Sequence, residues 1–79
     1  MKHKILIVDD EQSVRIFLKD LFVEEGFDVC EAKDGKETLE MASSEHPNMI
    51  VLDLKLPDAN GLDLIPQLKK ENPLSEIII

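Results

Sequence analysis

The stretch Met49-Ile50-Val51-Leu52-Asp53-Leu54-Lys55-Leu56-Pro57-Asp58-Ala59-Asn60-Gly61 decides how this sequence folds. Its first four residues are an unbroken apolar run, which suits a strand buried on both faces in the middle of a parallel sheet. The run delivers one carboxylate, Asp53, to a loop marked by Pro57 and Gly61. In open α/β sheets the groups outside the carboxyl ends of the strands gather around ligands, where the strand order reverses. Asp53 therefore reads as a site residue, and the rest of the chain reads as its support.

Upstream, Lys4 to Val8 is a second short β-branched run, and it ends on Asp9-Asp10-Glu11. From Glu11 to Glu25 the residues Val14, Phe17, Leu18, Leu21 and Phe22 recur at helical steps, predicting a helix that leaves through a left-handed cap at Gly26. Phe27 to Ala32 alternates weakly and carries two acids, as an edge strand does. Asp34 with Glu37 resembles a capping box opening a second helix, with Leu39 and Ala42 inward and a stop between Ser43 and Asn48. After the Asp53 loop, a third helix is expected over Gly61 to Glu71 with Leu62, Ile65 and Leu68 inward and with Pro66 forcing a kink or a tight first turn. Asn72-Pro73 ends it, and Glu76 to Ile79 begins a fourth strand. Strand and helix alternate throughout, which predicts an α/β fold of right-handed βαβ units, a parallel sheet with helices on both faces.

Composition narrows the classes of function. At 79 residues the chain makes at most one small domain, and the net charge of −8 repels phosphates, so no direct nucleic-acid binding is expected. No apolar run is long enough for a membrane span, and the amino terminus lacks the features of a secretory signal, which predicts a cytoplasmic protein. The one cysteine, Cys30, has no internal partner and reads as packing, and His3 and His46 read as surface residues. No G-x-G-x-x-G follows the first strand and no P-loop is present.

In a parallel sheet with the first and third strands side by side, Asp9, Asp10 and Asp53 converge on one edge. Three carboxylates so close repel one another, and a hard divalent cation relieves that repulsion. Oxygen ligands without His or Cys fit Mg2+ better than zinc. A carboxylate beside such an ion can also act as a nucleophile toward a phosphoryl group. Asp53, alone at its strand tip, is the choice for that role, and the Asp9-Asp10 pair is suited to holding the ion. The plainer readings are that Asp10 and Glu11 cap the following helix and that Asp53 bonds its local backbone.

The segments Ile5 to Glu11, Ala32 to Gly35 and Asp53 to Gly61 together resemble the receiver domains of bacterial two-component response regulators. The resemblance covers residues 1–79 and implies a flavodoxin-like doubly wound sheet in the order 2-1-3-4 with three helices. It implies that Asp53 accepts a phosphoryl group from a histidine kinase, that Asp10 ligates Mg2+ directly and Asp9 through water, and that the backbone carbonyl of Lys55 is a further ligand. Pro57 and Gly61 match loop-shaping positions. Receivers have five strands and five helices, with a Ser or Thr after the fourth strand and a Lys after the fifth, and neither position occurs here. The resemblance thus implies a receiver truncated within the fourth strand. A bare Ile77-Ile78-Ile79 edge and an uncovered first-helix face are expected to favour homo-oligomers through strand pairing or exchange of elements. The phosphoacceptor is expected to be no multiple-turnover enzyme. Competing readings are a non-phosphorylated protein-binding module and a haloacid-dehalogenase-like phosphatase, whose Asp-x-Asp pattern would require an acid where Lys55 stands.

Overall fold

The computed structural model describes residues 2–79. Strands β1 (Lys4–Val8), β2 (Asp28–Ala32), β3 (Met49–Leu52) and β4 (Glu76–Ile78) alternate with helices α1 (Gln12–Glu24), α2 (Gly35–Glu45) and α3 (Gly61–Glu71). The strands form one parallel sheet in the order β2-β1-β3-β4. This is the expected order, with β2 and β4 at the edges. The register sets Val8 beside both Ala32 and Leu52, so the carboxyl ends of the three strands are level.

Alternation along β1 divides the core. Leu6 and Val8 join Cys30, Ala32, Ile50 and Leu52 in one cluster with Ala42 of α2 and with Leu64 and Leu68 of α3. Ile5 and Ile7 are equally buried but stand outside that cluster, on the face where α1 crosses β1 and β2. Helices thus cover both faces, two on one side and one on the other. Burial pushes the Cys30 thiol up to about 11, in keeping with a packing role.

The α1 stripe is only partly used. Val14, Leu18 and Phe22 are half-buried, whereas Phe17 stays 67% exposed and Leu21 is also exposed. Its five apolar residues form a band wider than the two strands beneath can cover. On the same face Ile78 of β4 lies beside Val51 and is 46% exposed. The turn out of α1 is tight: Gly26 takes φ +95°, a conformation that L side chains resist, and Phe22 meets Phe27 edge to face at 6.0 Å. Phe27 itself lies in that turn, one residue before β2.

The inward set of α3 departs from the expectation, whereas α2 closes where expected, between Ser43 and Asn48: it continues to Glu45 and ends at His46, which is left-handed at φ 46°. Ser43 and Ser44 are solvent-exposed and tolerated in the last turn, and Pro47 stops the helix by excluding its preceding residue from the α region. In α3 the inward residues are Gly61, Leu64 and Leu68 with Ile65 beside them, and Leu62 is 50% exposed. Gly61 lies so close to the end of β3 that it, and not Leu62, sets the phase of the helix. The helix runs through Pro66, and its first turn is tight, with the Asp63 N–H bonded to the Asn60 carbonyl at 2.9 Å. Asn72 and Ser75, both buried, secure the far end: Asn72 donates to the Ala42 carbonyl, Ser75 to that of Pro47.

Candidate functional site at the carboxyl edge of the sheet

Asp9 and Asp53 are the first residues after β1 and β3, and the ladder continues just far enough to hold them. The Asp53 N–H bonds to the Val8 carbonyl at 3.0 Å, and the Asp9 N–H to that of Ala32 at 3.1 Å. Each carboxylate is then oriented by the amide two residues on, Asp9 by Glu11 at 2.9 Å and Asp53 by Lys55 at 3.1 Å. Asp10 is exposed, and among the described residues its side chain has no hydrogen-bond partner. One carboxylate oxygen from each of Asp9, Asp10 and Asp53 lies within 4.8 Å of the others. The convergence expected from the strand tips is therefore present.

The capping alternative for Asp10 and Glu11 does not hold. Glu11 occupies the N-cap of α1, but its side chain makes no capping bond. The local-bonding alternative for Asp53 is true of one oxygen only, since Oδ1 accepts from Lys55 and the carboxylate still reaches the cluster. Such a group of oxygens fits a hard cation by charge and donor type.

Lys55 begins a small hairpin. Gly61 N–H bonds to the Leu54 carbonyl at 2.8 Å, Leu56 N–H bonds to the Ala59 carbonyl at 3.2 Å, and Lys55 bridges Asn60. These bonds use the carbonyls of Leu54 and Ala59 and leave that of Lys55 unbonded among the described residues. A Cβ on Gly61 would stand 2.5 Å from the Asp53 carbonyl oxygen, so only glycine allows the loop to return this closely. Beside the acids a cleft of about 450 Å³ opens between Leu18 of α1 and Ile79.

Two contributors escaped the sequence reading. Arg15, the only arginine in the sequence, donates from Nη1 to the Asp9 carbonyl at 2.6 Å and pairs through Nε with Glu31 at 3.3 Å. It is 14% exposed and ties the Asp9 turn to the end of β2. Its uniqueness and its place in the helix after Asp9-Asp10 were the available signal. Asp58, which stands in the quoted loop with no role assigned to it there, is the second. Its carboxylate accepts from the Gly35 N–H at 2.6 Å and the Lys36 N–H at 3.1 Å, at the start of α2.

The Gly35 bond chiefly, with that of Lys36, holds the Asp58 carboxyl below its ordinary value of 3.8. A folded-state value below the unfolded one contributes stability above the unfolded value, and that contribution is lost as pH falls through the folded value. The unfolding midpoint in urea is thus expected to fall more steeply below about pH 4 in the wild type than in Asp58→Asn. Superimposable acid limbs would remove the assigned role of these bonds.

The response regulator receiver domain family matches residues 5–79. The chain belongs to that family. This receiver is 34% identical over its whole length to the sporulation initiation phosphotransferase F of Bacillus subtilis, of which it spans 64%. It is 39% identical to the alkaline phosphatase synthesis transcriptional regulatory protein PhoP of the same bacterium and spans 33% of that protein. The chain thus covers about a third to two thirds of these curated relatives. Among solved structures, the response regulator TrrA of Thermotoga maritima, in complex with Mg2+ and a beryllium fluoride, superposes on all of this receiver with a TM-score of 0.90 at 34% identity, over 68% of TrrA. TrrA in complex with the histidine kinase ThkA superposes with a TM-score of 0.86 at 34% identity over 98% of this chain and 66% of that one. Receivers are signalling modules of two-component systems. No helix among the described residues is long and apolar enough to cross a membrane.

Proposed function

We propose that this receiver accepts a phosphoryl group on Asp53 from a histidine kinase, with Mg2+ held by Asp9, Asp10, Asp53 and the backbone carbonyl of Lys55. The observation that carries the proposal is the approach of the three carboxylates to within 4.8 Å at the paired tips of β1 and β3. In the transfer, a carboxylate oxygen of Asp53 forms the new O–P bond while the P–N bond to the donor imidazole breaks and the imidazole keeps the electron pair. Mg2+, when bound, offsets the charge of the acids and of the transferring oxygens. The chain supplies the rest. Lys55 N–H fixes one oxygen of Asp53, and the ladder bond to Val8 fixes its backbone, so the nucleophile is oriented before the donor arrives.

The chain is a stoichiometric acceptor, not a multiple-turnover enzyme. Incubation with a small acyl phosphate and Mg2+, followed by peptide mass spectrometry, is expected to locate one phosphoryl group at Asp53. Modification elsewhere would refute the assignment, and repeated turnover of an aryl phosphate would favour the phosphatase reading. The exposed edge of β4 supports a further proposal, association of copies through Ile78 and Ile79. Sedimentation velocity is expected to show dimers or larger species that dissociate on dilution, and a folded monomer at every concentration would refute it.

A further inference from the structure

We propose that Asp58 is a positioning residue for the metal site: by tying the tip of the β3–α3 loop to the first turn of α2, it sets the direction in which the Lys55 carbonyl points. The inference rests on the reading that this carbonyl and the three acids hold Mg2+.

The loop from Leu54 to Gly61 is a hairpin fixed at its base by the Gly61 to Leu54 bond and narrowed by the Leu56 to Ala59 bond. Lys55 sits between these two points, so rotation of the hairpin about its base would swing the Lys55 carbonyl. Leu56 and Ala59 rest on the rim of the core. Apolar contact resists separation but has little directional preference, and it does not fix that rotation. The Asp58 carboxylate does, because its two oxygens accept from two successive amides, Gly35 at 2.6 Å and Lys36 at 3.1 Å, of a helix packed on the same core. These are charge-assisted bonds to donors that the helix leaves unpaired.

The receiving surface is shaped for this contact. A Cβ on Gly35 would lie 3.0 Å from the Ala59 Cβ and 3.1 Å from Asp58 Oδ1, so the first residue of α2 is bare where the loop docks. Gly35 is buried, and its backbone carries no positive φ. Close approach, not conformational freedom, is what glycine provides here. The contact can therefore be disturbed from either side, by removing the carboxylate or by adding a methyl group that pushes the tip away.

The experiment compares Mg2+ affinity by calorimetric titration in the wild type, Asp58→Ala, Asp58→Asn, Gly35→Ala and Asp10→Asn, each checked for folding by circular dichroism. The carbonyl chemical shift of Lys55 is recorded without metal in each. Asp58→Ala is expected to weaken Mg2+ binding about tenfold, the order seen when groups supporting a metal ligand are removed, and to move the Lys55 carbonyl shift. Asp58→Asn retains an acceptor for Gly35 and is expected to stay within about threefold of the wild type. Gly35→Ala, which changes no charge, is expected to weaken binding and move the same shift. Wild-type affinity in Asp58→Ala would overturn the inference. So would equal losses in Asp58→Ala and Asp58→Asn with Gly35→Ala unaffected, since that pattern reports only the field of a lost charge. If Asp58→Ala does not fold, Gly35→Ala and Asp58→Asn carry the test on the same terms. Undiminished Mg2+ binding in Asp10→Asn, or none in the wild type, would instead overturn the reading of the acid cluster.

Discussion

Asp53→Asn is expected to lower phosphoryl incorporation from a small acyl phosphate by at least about three orders of magnitude, as removal of a nucleophile does. The substitution keeps nearly everything except the chemistry. The Asn side chain has the same size, and its carbonyl oxygen can still accept the Lys55 N–H that Asp53 Oδ1 accepts at 3.1 Å. The backbone bond from residue 53 to Val8 does not involve the side chain. What is lost is an anionic oxygen able to attack phosphorus. The thermal midpoint is therefore expected to stay close to that of the wild type while labelling disappears. Labelling equal to wild type would mean that another group is the acceptor, with Asp10 the first to examine because its carboxylate belongs to the same cluster.

Gly61→Ala is expected to damage fold and site together. The added Cβ would stand 2.5 Å from the Asp53 carbonyl oxygen and 3.0 Å from the Leu54 Cα. Both neighbours are backbone atoms, so neither can rotate out of the way, and the end of β3 or the start of α3 must shift. Overpacking of this kind costs about 1–3 kcal/mol, which for a domain of this size lowers the thermal midpoint by roughly 10 °C. The shift acts directly on the peptide group of Asp53, so Mg2+ binding and labelling should fall even below the melting range. A variant as stable as the wild type would show that the loop has room that these distances deny. Gly35→Ala is the milder comparison, because its nearest neighbours are the side chains of Ala59 and Asp58.

The parts of the fold legible in the sequence were those written in neighbouring residues. Met49 to Leu52 followed by Asp53 announces a buried strand and its tip, and Asp34 with Glu37 announces the start of α2. That cap is present, with the Asp34 carboxylate accepting the Glu37 N–H and Glu37 reaching back to the Lys33 N–H. The pairing of β1 with β3 was an inference from topology, and the register supports it. What remained hidden depended on distances through space. Leu62 looked inward because the apolar steps permit it, but the phase of α3 follows from the contact of Gly61 with Asp53. Arg15 meets Glu31 and Asp58 meets Gly35 across gaps in sequence that no local period spans.

The uneven covering of the two sheet faces has a mechanical consequence. Behind α2 and α3 the side chains from Leu6 to Leu68 are closed off from solvent, and opening that half amounts to unfolding the domain. Over Val51 and Ile78 water already reaches the strands, so breathing motions of low free energy belong to the α1 half. Asp53 stands at the seam between a stiff half and a compliant one, where a new charge would spend its strain on the side that yields.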